Sequence, residues 1–421
     1  MVRAVVVAAC VLLAGGCVRM TLAWTDLSGE GPAATPPALA AFPGDGAPDP
    51  QRFRETVAPT WRAALAETVY GVGPEASRTD IVDRRVLDDA AFAGAGRLIE
   101  YRLKSYAVFD DAARPTADYV VDVVLPAGAD GPVPVILMET FCPRWDTIPH
   151  PGVARPEGAR SCEGGFASGI MKFVFGRYIA TPPVAAILAR GYGVAAIFPG
   201  EIVPDDREAG EAALRALSGS DDETRWGAIG VWGWVYDQVA GVLAAEDAVD
   251  ADRLIAFGHS RYGKAALVAA AFYDQIDGVV AHQSGTGGAS LNRGKVGESV
   301  GSITKTYPHW FAPAYASFAG REDEMPADQH QLLALAAPRP VLLGNARRDV
   351  WSDPNGAFRA AQGASVIYDM FGGAGMTQER LRPYDPTAAL SFWIRPGTHG
   401  VVEEDWPAFL DFLDAHFGSQ E

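Results

Sequence analysis

The stretch LIAFGHSRYGKAAL at residues 254–267 constrains the fold more than any other part of the chain. An apolar run at residues 254–257 leads into Ser260, and helix-forming residues follow at 264–271. This pattern predicts a strand, a sharp turn and a helix, in which the turn lifts the serine hydroxyl clear of a sheet. The helix N-terminus would then present backbone N–H groups to a developing oxyanion. The alternative is an ordinary turn between strand and helix, with Ser260 as an N-cap.

The glycine spacing around Ser260 is unusual for a nucleophilic serine. The common form is G-x-S-x-G, whereas Gly258 and Gly263 give G-x-S-x-x-G, and Tyr262 fills a position that normally carries a tiny residue. With Arg261 directly after the serine, the segment resembles the Gly-x-Ser-Arg-x-Gly-Lys signature of glucuronoyl esterases, carbohydrate esterase family 15.

The resemblance covers roughly residues 55–417, and its motifs occur in the order found in the family. Many bacterial members have histidine before the serine, as at His259, where fungal members have cysteine. The other motifs that look like bacterial members are GEIVPD at 200–205, GAIG at 227–230 with Trp232 and Trp234, SGTGGA at 284–289, GESV at 297–300, YPHWF at 307–311, DQH at 328–330 and APRPVL at 337–342.

The resemblance implies both a fold and a reaction. The fold is α/β, an α/β-hydrolase three-layer sandwich with a mostly parallel central sheet and loop insertions around the active site. The reaction is hydrolysis of esters of (4-O-methyl-)glucuronic acid, as in the links between glucuronoxylan and lignin alcohols, through an acyl-enzyme. No cofactor is expected, and the substrate is a uronic-acid ester.

Four further site residues follow from the resemblance. Arg261 supplies a backbone N–H to the oxyanion hole, and its guanidinium points at the developing charge; a surface arginine at a helix start is the alternative, although that is a poor place for a cation. Lys264, Glu298 and Trp351 match family residues that contact the sugar, and carboxylates and aromatic faces suit such a site. Their alternatives are an exposed lysine, a solvated loop glutamate and a hydrophobic plug.

The base that activates Ser260 should lie late in the chain, because α/β-hydrolases follow the order Ser, acid, His. His399 lies in a loop before an amphipathic C-terminal helix and matches the family's histidine, so we predict that it is the base. We expect His416, at the end of that helix, to be structural or solvated. His309, Trp310 and His330 are expected to pack.

The acid that orients His399 is predicted to be Asp349, in the loop after a late strand. Fungal family members place a glutamate elsewhere, in Glu-Ser-Gly, but this chain has Gln283 at that point. A neutral amide does not stabilise an imidazolium by charge, which moves the role to Asp349. Asp353 is the second candidate, although it reads better as part of an Asp-Pro turn.

Hydrophobic runs elsewhere predict the same class of fold. Residues 97–119 read as antiparallel edge strands, whereas 120–125, 133–138 and 194–198 read as buried strands. Further strands are expected at 254–257, 279–282 and 341–344, and helices at 183–190 and about 231–246. The alternation of strands and helices predicts a parallel sheet with its functional loops at the carboxyl ends of the strands. Residues 142–172 look like an inserted loop near the site.

The first 54 residues are expected to lie outside the catalytic domain at 55–421. The apolar run at 4–14 is too short to span a bilayer and suits a signal peptide, predicted at 1–17. It ends in LAGGC, which resembles a lipobox, so we predict lipidation of Cys17 and an exported protein that is periplasmic or attached to an outer membrane. Cleavage by ordinary signal peptidase is the alternative. Residues 18–54 then form a tether rich in Pro, Ala and Gly.

Two cysteines, Cys142 and Cys162, remain in the predicted domain. An exported compartment permits a disulfide between them, which would stabilise the fold by about 3 kcal/mol. The alternative is two unpaired thiols. Neither cysteine has the spacing of a zinc site, and no metal site is expected.

The charge and the motifs leave two other classes of function open. A formal net charge of −17 argues against nucleic acid and against anionic membrane surfaces as partners, apart from an N-terminal lipid anchor. One alternative is another carbohydrate esterase, such as an acetylxylan esterase with the same triad. The other is a surface lipoprotein that binds glycans without turnover.

Overall fold

A large mixed sheet forms the centre of the protein. The computed structural model describes residues 49–155, 159, 161–162, 165–373 and 375–418, with only the backbone for 165–167. Within this part of the chain the sheet has ten strands in the order β1-β2-β4-β6-β5-β7-β8-β9-β10, with β3 paired to β2. The strands are β1 (Ala76–Ala91), β2 (Gly96–Phe109), β3 (Ala112–Pro115), β4 (Tyr119–Pro126), β5 (Val133–Glu139), β6 (Gly193–Ile197), β7 (Val249–His259), β8 (Gly278–His282), β9 (Val341–Ala346) and β10 (Leu390–Arg395).

The sheet has an antiparallel part and a parallel part. The pairs β1–β2, β2–β3, β2–β4 and β4–β6 are antiparallel. From β6 through β5, β7, β8 and β9 to β10, every neighbouring pair is parallel. All seven residues of β5 are buried, as expected for a strand covered on both faces. The predicted fold class and parallel sheet are therefore confirmed, and β10 is a strand that the hydrophobic pattern did not reveal.

Helices cover both faces of this sheet. They are α1 (Pro50–Arg52), α2 (Ala58–Leu65), α3 (Arg144–Thr147), α4 (Gly165–Phe175), α5 (Val184–Ala189), α6 (Arg207–Ser218), α7 (Ala228–Leu243), α8 (Arg261–Phe272), α9 (Val300–Thr306), α10 (Gln329–Leu335), α11 (Pro354–Met370) and α12 (Asp405–Phe417). Residues of α2, α7, α8, α10 and α11 pack in one core cluster. Residues of α5 and α12 pack in a second cluster against the alternate residues of the same strands, which completes a three-layer arrangement.

The N-terminal end of the folded part lies slightly before the predicted boundary at residue 55. Helical structure begins at Pro50, and Phe53 is buried in the main core. Cys17, the predicted signal peptide at 1–17 and most of the predicted tether at 18–54 lie outside the described residues. Among the described helices, none is long and apolar enough to cross a membrane.

The predicted insertion at 142–172 contains the short helix α3 and part of α4. Cys142 and Cys162 form a disulfide, and Asp146 accepts hydrogen bonds from Ser161 Oγ and from the backbone N–H of Cys162. Arg144, which is buried, pairs with the carboxylates of Glu100 and Asp122 on neighbouring strands. These contacts fix the start of the insertion to the sheet.

Candidate active site

The turn that carries Ser260 joins β7 to α8 with almost no intervening chain. Ser260 has φ 56° and ψ −120°, a strained conformation for a residue with a side chain. Its N–H donates to the carbonyl of His282 at 2.8 Å. A Cβ at Gly258 would lie 2.0 Å from the carbonyl oxygen of Tyr262, and one at Gly263 would lie 2.9 Å from that of Gly258. A side chain at either position would clash with a backbone carbonyl oxygen, which explains why both positions are glycine.

His399 and Asp349 meet beside this turn. His399 Nδ1 and Asp349 Oδ2 are 2.7 Å apart, and Asp349 is 2% exposed. Burial would raise the pKa of Asp349, but the charge of His399 and hydrogen bonds from His399 and Ser352 outweigh burial and lower it. Asp349 is thus held as a carboxylate against the ring nitrogen of His399. Asp353 faces elsewhere: it caps α11 through Gly356 N–H and also accepts from Val296 N–H.

Gln283 holds the loop on either side of His399. Its Oε1 accepts from Gly400 N–H at 2.7 Å, and its Nε2 donates to the carbonyl of Thr398 at 3.4 Å. An amide suits both partners, because it offers one acceptor and one donor. The departure from the fungal glutamate therefore has a structural use in this chain.

Arg261 is held at the cavity wall by Asp205. Arg261 Nη2 lies 2.9 Å from Asp205 Oδ2, while His309 Nε2 and Trp310 Nε1 lie 3.1 and 2.6 Å from Asp205 Oδ1. The guanidinium carbon also lies 4.7 Å from the centre of the Phe141 ring. Within the described structure, Arg261 Nε is buried and has no hydrogen-bond partner, so one donor of the guanidinium remains unused.

Most of the predicted site residues line one cavity of about 600 Å³, while Asp349 reaches it through His399. Ser260, Arg261 and His399 lie on it together with the three predicted sugar contacts. Lys264 is 4% exposed and donates to the carbonyl of Ser284, and burial lowers its pKa to about 8. Trp351 is half exposed, and the centre of its ring lies 6.0 Å from the centre of the His399 ring. The structure thus brings Lys264, Glu298 and Trp351 to the same opening as the serine and the histidine.

Part of the lining of the cavity comes from the insertion and from the residues that follow it. The insertion supplies Met171 and the disulfide between Cys142 and Cys162, and Phe175 and Ile179 lie just after it. The lining therefore combines charged and polar groups with apolar groups. The predicted position of the insertion near the site agrees with this arrangement.

A comparison with solved structures identifies the family. The fold matches the glucuronoyl esterase from Solibacter usitatus with a TM-score of 0.75 and 30% sequence identity, over 92% of this chain and 99% of that one. The chain belongs to the glucuronoyl esterase family. The family profile described as glucuronyl esterase, fungi, also matches residues 200–372.

Curated relatives of this family member match over shorter regions. A carbohydrate esterase from an unknown prokaryotic organism is 36% identical over 236 residues, which is 54% of each chain. The 4-O-methyl-glucuronoyl methylesterase of Neurospora crassa is 31% identical over 173 residues, 39% of this chain and 43% of that protein. The chain therefore spans about half the length of the curated relatives it matches.

Two features of this glucuronoyl esterase family member did not follow from the sequence. His309 and Trp310 are buried as expected, but they also fix Asp205, which in turn fixes Arg261. Asp205 lies in the GEIVPD motif at 200–205, but the sequence alone does not show which side chains Asp205 contacts. The second feature is a contact between the rings of His259 and His399, whose centres are 4.7 Å apart.

Proposed function

We propose that this protein is a serine carboxylesterase that hydrolyses esters of glucuronic acid through an acyl-enzyme. The observation that carries the proposal is the convergence of Ser260, the His399–Asp349 pair and the Arg261 cation on one cavity. A strained serine at the start of a helix, a base, and an acid bound to that base make up the machinery for acyl transfer. The names of the family members above support a uronic acid as the acyl group.

Acylation begins with attack of Ser260 Oγ on the ester carbonyl of the uronate. His399 takes the serine proton as the Oγ–C bond forms, and the carboxylate of Asp349 stabilises the resulting imidazolium. The carbonyl oxygen becomes an oxyanion beside the first N–H groups of α8 and the Arg261 guanidinium. When the ester C–O bond breaks, His399 returns the proton to the leaving alcohol. A water molecule then repeats these steps on the acyl-enzyme and releases the free uronic acid.

The polar lining residues of the cavity suit the sugar ring. Lys264, Glu298 and Trp351 supply an ammonium donor, a carboxylate acceptor and an aromatic face, which together fit a pyranose with several hydroxyl groups. The apolar lining residues would then contact the alcohol of the ester. By this proposal the natural substrate is a (4-O-methyl-)glucuronate ester of the kind that joins glucuronoxylan to lignin alcohols.

Steady-state hydrolysis of benzyl glucuronate, compared with that of an acetylated xyloside, tests the proposed function. The uronate ester should be the better substrate by kcat/KM. Preference for the acetyl ester would overturn the substrate assignment in favour of a deacetylase. No turnover of either ester, with calorimetric uronate binding unchanged in Ser260→Ala, would favour a glycan-binding protein instead.

Uronate ester binding should weaken above about pH 8 because Lys264 loses its proton there. Burial lowers the pKa of its ammonium to about 8, and a neutral amine is a weaker donor to sugar hydroxyls. We expect KM to rise about threefold to tenfold as the pH rises through this value, with a smaller change in kcat.

Lys264→Met should have a raised KM that no longer varies over this pH range. A wild-type KM that is flat through pH 8 would contradict the role of Lys264. The effect of pH on stability has the opposite direction to its effect on binding. The pKa of Lys264 is lower in the folded protein than in the unfolded chain, so the unfolded chain binds more protons between about pH 8 and 10.5. The contribution of Lys264 to the free energy of unfolding therefore grows as the pH rises through this range.

Asp205→Asn should lower kcat through its effect on Arg261. Burial would raise the pKa of Asp205, but His309, Arg261 and Trp310 together lower it, so the wild-type residue is an anion that fixes the guanidinium. We expect about a tenfold loss in kcat with little change in KM, whereas Arg261→Ala should lose about 10²–10³-fold, the usual loss when an oxyanion donor is removed.

Asp89→Asn is the matched control for Asp205→Asn, because Asp89 pairs with Arg97 on the exposed surface. Wild-type kcat in Asp205→Asn would show that Asp205 does not position the arginine.

The N-terminal assignments remain part of the proposal. We propose that residues 1–17 form a signal peptide, that Cys17 receives lipid, and that the predicted tether at 18–54, up to the start of the folded domain at Pro50, attaches this domain to a membrane facing the periplasm. Mass spectrometry of the mature N-terminus tests this, and an N-terminus without Cys17 would overturn the lipid anchor.

A further inference from the structure

Next to His399 lies a second pair of histidines that the proposed reaction does not use, one of which, His259, also lines the cavity. His259 is the last residue of β7, and His282 is the last residue of β8. Both are buried, and their Nδ1 atoms are 3.1 Å apart. The His259 ring lies between the other two imidazoles: its centre is 4.7 Å from that of His399 and 4.9 Å from that of His282.

The far end of this pair meets a buried carboxylate. His282 Nε2 lies 3.5 Å from Asp405 Oδ1, and Asp405 is itself held by Arg395 Nε at 2.8 Å and by Val402 N–H at 2.9 Å. Arg395 also donates to the carbonyls of Pro396, Thr398 and Gly400, which surround His399 in the sequence. The chain of contacts therefore begins at the His399 ring and ends at the loop that carries it.

These contacts select one arrangement of protons. Two Nδ1 atoms at 3.1 Å share a hydrogen bond only when one is protonated and the other is not. His282 Nε2 makes no hydrogen bond within the described structure, but the Asp405 carboxylate oxygen 3.5 Å away favours a proton on it through charge. With the proton on Nε2, His282 Nδ1 accepts and His259 Nδ1 donates. His259 Nε2 is then unprotonated and the ring is neutral. Burial and the positive groups nearby lower the pKa values of His259 and His282 well below the ordinary value, which agrees with two neutral rings.

A neutral His259 matters because of what His399 must do. In the proposed reaction, which this inference assumes, His399 becomes positively charged in each proton transfer. A cation at His259, with ring centres 4.7 Å apart, would oppose that charge, whereas a neutral imidazole offers a polar, polarisable surface. The charged and titratable groups around His399 and this pair are Asp349 after β9, Arg395 at the end of β10, Arg261 at the start of α8, Asp405 at the start of α12, and His259 and His282 themselves.

We propose that His259 and His282 are positioning residues for His399, a neutral histidine pair fixed in one tautomer by Asp405 that supports the imidazolium formed during ester hydrolysis. Neither residue needs to touch the reacting atoms for this role. The pair instead sets how easily His399 takes a proton, and so sets the pH at which activity begins.

Substitution at His259 gives the first test. His259→Phe keeps an aromatic ring but removes the polar support, so we expect kcat to fall about tenfold with little change in KM. The acid limb of the kcat/KM profile should move to lower pH, because the imidazolium of His399 loses a favourable neighbour. His330→Phe is the matched control: His330 is another buried histidine, and its variant should lose stability while the acid limb stays in place.

Substitution at His282 separates the hydrogen bond from packing. His282→Gln retains an acceptor for His259 Nδ1–H and should keep the acid limb near its wild-type position, whereas His282→Leu should shift it as His259→Phe does. Equal shifts in the Gln and Leu variants, or no shift in His259→Phe, would overturn the proposal.

Nitrogen NMR of the wild-type protein labelled in histidine gives a test that needs neither a folded variant nor an active enzyme. Between about pH 5 and 8, His259 should remain neutral with the proton on Nδ1, and His282 should remain neutral with the proton on Nε2. Titration of either ring in this range, or the opposite tautomers, would overturn the histidine pair. Absence of ester turnover in the wild type would instead refute the proposed function, so the two failures are distinguishable.

Discussion

Ser260→Ala is expected to lower kcat for benzyl glucuronate by about 10⁶-fold, the loss seen when the nucleophile of a serine hydrolase is removed. The reason is the position of Ser260 at the strained turn between β7 and α8, where its hydroxyl lines the cavity beside His399. Alanine leaves no atom that can form the acyl-enzyme. Single-turnover and steady-state rates with the purified variant measure the loss.

The same variant should remain folded and should still bind the uronate. Its thermal unfolding midpoint is the control, because alanine at φ 56° is no less compatible with the turn than serine is. Residual turnover within about tenfold of the wild type would show that another group is the nucleophile, and the triad would have to be reassigned.

Asp349→Asn is expected to lower kcat by about 10⁴-fold while leaving KM nearly unchanged. Asparagine can occupy the same volume, but it removes the negative charge 2.7 Å from His399 Nδ1 and can present an N–H where the ring needs an acceptor. The imidazolium loses its counter-charge, and the ring is held in the wrong tautomer. Asp353→Asn is the matched comparison, since Asp353 caps α11 and should affect stability more than kcat.

Gln283→Glu added to Asp349→Asn tests whether a carboxylate at the fungal position can replace the lost acid. Gln283 contacts the backbone on both sides of His399, so a carboxylate there lies close to the imidazole loop. We expect a partial recovery of about tenfold, limited because the new carboxylate would face the carbonyl of Thr398. No recovery would show that a carboxylate at position 283 cannot act as the acid. Wild-type kcat in Asp349→Asn alone would show that Asp349 is not the acid that orients His399.

The sequence predicts the parts of the site that depend on local pattern. An apolar run, two glycines and a helix-forming stretch within fourteen residues are sufficient to predict the Ser260 turn. The positions of Asp349 and His399 follow from chain order and from the rule that loops at the carboxyl ends of parallel strands meet at one edge. The disulfide between Cys142 and Cys162 was one of two alternatives, and the structure contains it.

The contacts that support these residues could not be predicted from the sequence, because they join segments that are distant in the chain. Asp205 and His309 are 104 residues apart, and His259 and His282 are 23 residues apart on adjacent strands. Histidine and tryptophan in apolar surroundings look like packing residues until the partner is known. Only the register of β7 against β8, which pairs His259 with His282, brings the two rings together.

The insertion and the residues after it bear on which alcohol the cavity accepts. The start of the insertion is fixed by the disulfide and by Arg144, and shortly after its end the carbonyl of Phe175 accepts a hydrogen bond of 2.7 Å from the N–H of Val401, close to His399 in the chain. The apolar side chains of Met171, Phe175 and Ile179 line the cavity but do not belong to the proposed triad. We therefore expect substitutions at Met171, Phe175 or Ile179 to alter which alcohol the proposed esterase prefers, because Ser260, His399 and Asp349 lie on other segments of the chain.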